Sequence, residues 1–195
     1  MKNKTTNVFL AGVGGQGLVL VNRLLMRAAI LSGLDAKCTD THGLAMRGGG
    51  VMGTLRIGEQ VGTSIFQPGC GDLLLGLEPL EAYRWAHMLK VGATVVVSVD
   101  QQWPSMILLE QQSFPADWHD QLQKAGLQVK SVHGAGLALE AGNYKMINVV
   151  MAGALSAFLP VDFERLKQAL ENVAPKGTYE KNLQALQLGR EAAQA

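Results

Sequence analysis

The chain has 195 residues, of which 48% are hydrophobic and 17% charged, and its formal net charge is +1. This length fits one domain with a substantial core, and the near-neutral charge argues against a general nucleic-acid binder. The longest apolar run, residues 146–159, is interrupted by Asn148 and Gly153 and is too short for a membrane span. Because the first residues are polar rather than signal-peptide-like, we expect a cytoplasmic protein. The low charged fraction suggests that another subunit covers part of its surface.

The first predicted elements are a buried strand, a glycine turn and a helix. Residues 8–13 are apolar, and the glycines that follow the G-x-G-x-x-G pattern are Gly12, Gly14 and Gly17. Residues 18–31 then show helical spacing. Such a turn leaves N–H groups free at a helix N-terminus, where phosphate or carboxylate binds readily. A turn that only packs the helix on the sheet would use the same glycines, so both interpretations stay open.

A second strand over residues 34–40 ends at Asp40, where nicotinamide enzymes place a ribose-binding carboxylate. The chain then enters a second glycine-rich loop, residues 41–50, instead of a crossover helix. Arg47 in this loop has a planar donor fork suited to phosphate or carboxylate, which favours a ligand or interface role over a structural ion pair. His42 lies in the same candidate loop, but for this residue a hydrogen-bonded turn role is favoured over a ligand role.

The middle of the chain alternates strands with helical patterns. Residues 51–57 and 61–66 have strand character and predict a hairpin or an extended excursion. Residues 72–77 form a buried-strand run, a helix begins at Glu78-Pro79 and extends to about residue 90, and residues 93–99 form another strand. This alternation predicts a mainly parallel sheet with helices on both faces.

The second half of the chain is mostly helical. Residues 101–115 predict an irregular connection with a short strand near 106–108. The remaining predicted elements are a strand over 127–132 and helices over 116–125, 137–140, 145–159, 162–172 and 179–193, with Asp162 as a helix cap. The predicted fold is one three-layer, Rossmann-like α/β domain over residues 1–195, with a helical C-terminal portion.

The remaining reactive side chains predict neither a catalytic residue nor a metal site. Cys38 and Cys70 have no C-x-x-C spacing and are too few for a zinc or iron–sulfur site, so we expect small, buried residues. His87, His119 and His133 lack the spacing of metal ligands. The chain therefore does not contain a self-sufficient active site.

Four separated stretches carry a family resemblance. They are the glycine loop 12–17, the second loop with Thr41-His42-Gly43 and Arg47-Gly48-Gly49, the strand-to-helix segment 72–82, and the helix 148–155. Together they resemble the gamma subunit or domain of 2-oxoacid:ferredoxin oxidoreductases, and among these the small beta subunit of indolepyruvate oxidoreductase. The resemblance spans about residues 7–192.

This resemblance implies a subunit that itself holds no redox centre and belongs to a complex that converts a 2-oxo acid and coenzyme A to acyl-CoA. The substrate would be of the pyruvate, branched-chain or indolepyruvate type, and the electrons would pass to ferredoxin. Thiamine diphosphate and [4Fe–4S] clusters would belong to partner subunits, with coenzyme A as co-substrate. The isolated chain is expected to be inactive and could form a homodimer.

The resemblance also implies which residues lie near the shared site. The candidate residues are Gly12, Gly14, Gly15, Gln16, Gly17, His42, Arg47, Gly48 and Gly49. Residues 44–46 are less polar than in some relatives, which leaves the choice of 2-oxo acid open. Two alternatives are a stand-alone NAD-dependent dehydrogenase that uses Asp40 with the first glycine loop, and a scaffold subunit that binds no ligand.

Overall fold

The computed structural model describes residues 5–40, 48–101, 114–175 and 177–195, and it contains one sheet in this part of the chain. The strands are β1 (Thr6–Val13), β2 (Asp35–Asp40), β3 (Gly50–Gly58), β4 (Gly71–Gly76), β5 (Leu89–Ser98) and β6 (Gln128–Val132). Their order is β2-β3-β1-β4-β5-β6. β3 is antiparallel to β1 and β2, whereas β1, β4, β5 and β6 are parallel.

Helices cover both faces of this sheet. They are α1 (Leu18–Leu31), α2 (Pro79–Trp85), α3 (Trp118–Lys124), α4 (Gly134–Glu140), α5 (Ile147–Ser156), α6 (Phe163–Val173) and α7 (Tyr179–Gln194). Val8 and Leu10 of β1 face the core formed with α1, α5, α6 and α7, while Phe9 and Ala11 face the smaller core formed with α2 and α3. The alternation follows from the two-residue period of a strand. The predicted three-layer α/β fold is confirmed.

Local signals located several helix boundaries correctly. α1 begins after Gly17, whose φ is +82°, and ends near Gly33, whose φ is +78°. Both values lie in the left-handed region that glycine adopts without strain. Asp162 caps α6 as predicted, because its Oδ1 accepts a hydrogen bond from the Glu164 N–H at 2.9 Å.

Of the hairpin and the extended excursion predicted for residues 51–66, the hairpin is wrong, because residues 61–66 form no strand. β3 already pairs with β1 on one side and with β2 on the other, so it has no free edge for a further strand. Side chains satisfy part of the backbone of this segment instead. The Arg56 guanidinium donates to the carbonyls of Thr63 at 3.2 Å and Ile65 at 3.3 Å.

The helix predicted to extend from Pro79 to about residue 90 is shorter than expected. It ends at Trp85, a 3₁₀ turn covers Ala86–Met88, and β5 begins at Leu89 because this residue pairs with Gly71 of β4. The short strand predicted near residues 106–108 lies outside the described residues.

The two C-terminal helices α5 and α7 cross with their backbones in direct contact. A Cβ on Gly153 would lie 2.0 Å from the Leu186 carbonyl oxygen, and one on Gly189 would lie 1.8 Å from the Val150 carbonyl oxygen. No side chain fits at either position. This crossing fixes α5 against the sheet and thereby positions its N-terminal end beside the first glycine loop.

Candidate functional site

The candidate site lies where the parallel strands β1 and β4 end. The chain leaves β1 into α1 on one face of the sheet and leaves β4 into α2 on the opposite face. This arrangement opens a crevice between the two strand ends, which is where open α/β sheets bind ligands. The first glycine loop and Leu77 form its floor.

The first glycine loop presents unpaired backbone donors. In this loop and the first turn of α1, the N–H groups of Gly15, Gly17, Leu18 and Val19 have no acceptor among the described residues. α1 has neither a side-chain cap nor an acidic residue in its first turn. These donors and the positive end of the helix dipole suit an anion.

The Gln16 side chain holds the ends of β1 and β4 together. Its Oε1 accepts a hydrogen bond from the Val13 N–H at 2.7 Å, and its Nε2 donates to the Leu77 carbonyl at 3.1 Å. A Cβ on Gly12 would lie 2.8 Å from that Oε1, so glycine makes room for this contact. The amide of Gln16 is engaged with the protein backbone, and its geometric role is to position the loop.

We expect Gln16→Ala to lower the free energy of unfolding by about 2 kcal/mol, because two partly buried backbone groups lose their partners. Chemical denaturation of the purified chain measures this effect. Gln123→Ala, at an exposed residue of α3, is the matched control and should change stability by less than about 0.5 kcal/mol. Equal stability of the two variants would contradict the role of Gln16.

The second glycine loop contacts the first through the backbone. The Gly14 N–H donates to the Gly49 carbonyl at 2.8 Å, and the Gly48 N–H donates to the Gly14 carbonyl at 3.4 Å. The structure thus brings together the glycines that the sequence grouped into one site. His42 and Arg47 lie outside the described residues.

A cleft of about 420 Å³ opens beside the first glycine loop. Its lining consists of Gly15, Gln16, Gly17, Leu77, Tyr144, Lys145, Ile147 and Asn148. The last four lie in the 3₁₀ turn Tyr144–Met146 and at the start of α5. The sequence analysis did not assign them to the site. The available signal was Asn148 itself, a polar residue near the start of a mostly apolar helix.

A second cleft, of about 520 Å³, lies next to the start of β3. Its lining consists of Gly50, Val51, Met52, Glu81, Arg84, Trp85 and His87. The Glu81 carboxylate is buried and forms an ion pair with Arg84. Burial raises the pKa of Glu81, while the neighbouring Arg84 guanidinium opposes this rise.

The buried Glu78 carboxylate caps α2, the helix that contributes Glu81, Arg84 and Trp85 to this second cleft. Its Oε2 accepts the Glu81 N–H at 2.9 Å, whereas its buried Oε1 has no hydrogen-bond partner in the part of the chain that the structure describes. Burial raises the pKa of Glu78 from its ordinary value of 4.5 to about 7. The repulsion between Glu78 and Glu81 acts in the same direction.

Comparison with known proteins connects this geometry to one family. The family described as pyruvate ferredoxin/flavodoxin oxidoreductase matches residues 7–192. The indolepyruvate oxidoreductase subunit IorB of Thermococcus kodakarensis is 32% identical over 97% of this chain and 96% of its own length. The chain belongs to the pyruvate ferredoxin/flavodoxin oxidoreductase family. This finding confirms the predicted family and, with it, the prediction of an oxidoreductase subunit.

Solved structures show the same fold. The gamma subunit of a keto/oxoacid ferredoxin oxidoreductase from Geobacter sulfurreducens has a TM-score of 0.73 and 24% identity, over 97% of this chain and 98% of that one. The 2-oxoglutarate:ferredoxin oxidoreductase from Magnetococcus marinus, solved with 2-oxoglutarate, coenzyme A and succinyl-CoA bound, has a TM-score of 0.76 and 20% identity. The match covers 99% of this chain and 32% of that longer one.

The strand order of this pyruvate ferredoxin/flavodoxin oxidoreductase domain does not favour the NAD alternative. β3 lies between β2 and β1, so Asp40 at the end of β2 is not on the strand next to the glycine loop. Its Oδ1 instead accepts a hydrogen bond from the Asn22 side chain at 2.7 Å. Asp40 therefore lacks the position that ribose recognition requires.

The two cysteines of this family member differ in their exposure. Cys38 is half-buried, but Cys70 is exposed, so the prediction that both cysteines are buried is wrong for Cys70.

Within the described ranges, no group of three or more His, Cys, Asp or Glu residues could hold a metal ion. None of the helices described there has the length and apolarity needed to cross a membrane.

Proposed function

We propose that this chain is the gamma-type subunit of a 2-oxoacid:ferredoxin oxidoreductase complex and binds coenzyme A at the joined glycine loops. The supporting observation is the contact between Gly14 and Gly49 beside unpaired N–H groups at the start of α1. The complex converts a 2-oxo acid and coenzyme A to acyl-CoA and carbon dioxide, with electrons passing to ferredoxin. The relative named for indolepyruvate makes this 2-oxo acid the first to test, followed by branched-chain acids and pyruvate.

We assign the redox and carbanion chemistry to partner subunits. The chain has two cysteines, fewer than the four ligands that an iron–sulfur cluster usually takes. Thiamine diphosphate on a partner supplies carbanion stabilisation, and [4Fe–4S] clusters there carry the electrons. The role of this chain is to bind and orient an anionic co-substrate.

Coenzyme A carries phosphate groups, which match the donors of the first glycine loop. Backbone N–H groups at a helix N-terminus can bind such anions without the help of a positively charged side chain. Arg47 precedes the glycines that contact this loop, and its guanidinium would add a bidentate contact to a phosphate or to the substrate carboxylate. The Magnetococcus marinus enzyme, which shares the fold, has coenzyme A bound.

We expect Arg47→Ala to raise the KM for coenzyme A, or for the 2-oxo acid, by about tenfold, because a charge-assisted hydrogen bond is lost. Arg47→Lys should recover only part of this loss, since lysine keeps the charge but not the planar fork. Initial rates of the intact complex, with each substrate varied in turn, measure both effects. Arg27→Ala, at an exposed residue of α1, is the control, and unchanged KM values in the Arg47 variants would refute the assignment.

Anaerobic co-purification at native level tests the proposed function itself. We expect a larger partner that holds thiamine diphosphate and iron–sulfur clusters, identified by native mass and cofactor analysis. This complex should reduce ferredoxin in the presence of coenzyme A and one of the three types of 2-oxo acid. A partner-free chain that binds NADH would instead support the dehydrogenase alternative.

A further inference from the structure

A buried carboxylate of α2 lies against the start of β3. A Cβ on Gly50 would lie 2.7 Å from Glu81 Oε2 and 3.1 Å from both Oε1 and the carboxylate carbon. The whole carboxylate group is therefore in contact with the α-carbon of Gly50. Gly50 directly follows Gly48 and Gly49, which make the backbone contacts to Gly14 of the first glycine loop. Glu81 thus touches the second glycine loop at the point where this loop enters the sheet.

Glycine is needed at position 50 for space rather than for backbone conformation. The φ of Gly50 lies outside the left-handed region that favours glycine, and the residue pairs with Val13 in the sheet. Any L-amino acid can adopt this extended backbone. The nearest obstacle to a side chain at this position is the Glu81 carboxylate.

Three neighbouring groups hold this carboxylate in place. Arg84 forms an ion pair with it, and the Trp85 indole N–H donates a hydrogen bond to it. Glu78 Oε2 accepts the Glu81 N–H at 2.9 Å and so fixes the backbone that carries the side chain. Although it lines the second cleft, the Glu81 side chain is only 2% exposed. Moving the carboxylate away from Gly50 would break these contacts.

Stability alone does not account for a charged pair in this place. Removing the Glu81 carboxylate from water costs free energy, and apolar side chains of similar volume often stabilise a fold as well as a buried ion pair or better. What a fixed ion pair can supply is a defined position. Here the group that it positions is the segment through which the two glycine loops meet.

We propose that Glu81 is a positioning residue, whose carboxylate sets the place of Gly48–Gly50 against the first glycine loop. The effect reaches the first loop through the backbone hydrogen bonds between Gly14 and the residues Gly48 and Gly49. Glu81 acts from the α2 face of the sheet and needs no contact with a substrate. This inference rests on the proposed function for the reaction that the loops serve, and it goes further by identifying what holds the loops together.

Hydrogen exchange of the Gly14 amide in the full chain, followed by NMR, tests this proposal without a substrate. Gly50→Ala should accelerate this exchange at least tenfold, because the added methyl group displaces the start of β3 and weakens the bond to the Gly49 carbonyl. When Glu81→Ala is added, the methyl group has room, and the double variant should exchange no faster than Glu81→Ala alone. Gly62→Ala, at an exposed glycine where a Cβ meets nothing within 4 Å, is the control and should exchange like the wild type.

The rescue separates positioning from general destabilisation. Substitutions at independent sites have additive effects, whereas groups in direct contact are coupled. Additive acceleration in the double variant would therefore overturn the inference. If Glu81→Ala does not fold, Arg84→Met provides a second test, because it keeps the carboxylate but removes its ion pair. This variant should accelerate exchange of the Gly14 amide about threefold or more, and a wild-type rate would also overturn the inference.

Steady-state kinetics of the intact complex give the functional readout. Gly50→Ala should raise the KM for coenzyme A, the co-substrate in the proposed function, about tenfold while kcat changes less than twofold. Addition of Glu81→Ala should lower this KM again. An active complex with wild-type kinetics in Gly50→Ala would overturn the inference and leave the proposed function standing. Rescue of Gly14 exchange in a chain that forms no ferredoxin-reducing complex would support the positioning role of Glu81 while the proposed function fails.

Discussion

Gly189→Ala is expected to lower the free energy of unfolding by about 4 kcal/mol or more, a large part of the stability of a typical domain. The added Cβ would lie 1.8 Å from the Val150 carbonyl oxygen, so α7 must move away from α5. A clash with backbone cannot be relieved by a change of rotamer. Chemical denaturation, or the yield of soluble chain if the variant does not fold, measures the effect.

Gly136→Ala is the matched control for this substitution. Gly136 is also helical, but a Cβ there meets nothing within 4 Å and the residue is exposed. Alanine should therefore be neutral or stabilise the chain by about 0.5–1 kcal/mol, since glycine is the weaker helix former. If both variants showed wild-type stability, the close crossing of α5 and α7 would be wrong.

Glu78→Gln is expected to stabilise the chain at alkaline pH and to have little effect in acid. The pKa of Glu78 is raised to about 7 in the folded protein, above its ordinary value of 4.5. The folded state therefore binds this proton more tightly, and its contribution to stability is full below pH 4.5 and is lost as the pH rises through 7. The shift corresponds to about 3 kcal/mol, which glutamine retains because it never ionises.

Denaturation of both proteins between pH 5 and pH 8 measures this dependence. The difference in free energy of unfolding should be small at pH 5 and favour Glu78→Gln by up to about 3 kcal/mol at pH 8. Glu59→Gln removes the same charge from an exposed residue and should show no such divergence. Parallel curves for wild type and Glu78→Gln would show that the buried carboxylate does not carry this proton.

The first glycine loop and the bounds of α1 could be predicted from the sequence, because the glycines that determine them lie within a few residues of the helix ends. Gly17 and Gly33 adopt left-handed backbone at the two ends of one helical repeat. The pairing of strands depends instead on residues that are distant in sequence. Residues 61–66 have strand composition, but strand formation needs a free neighbouring edge, and β1 and β2 occupy both edges of β3.

The candidate site was predictable only in part for the same reason. The glycines of both loops could be recognised from their pattern, and the structure joins them through Gly14. Gln16 was expected to lie at the ligand, but its amide bridges two strand ends, which no local pattern reveals. Lys145 and Asn148 reach the cleft through the packing of α5, so their contribution depends on tertiary contacts far along the chain.

The position of β1 in the sheet has a consequence for biosynthesis. This apolar strand leaves the ribosome before both of the strands that pair with it, β3 and β4, and it lies between them in the sheet. Both of its hydrogen-bonding edges stay open until those later strands have been made, and open apolar edges promote aggregation. The nascent chain therefore passes through a stage in which a central strand of the sheet has both edges unpaired, while α1, which follows it directly, can already pack on one of its faces.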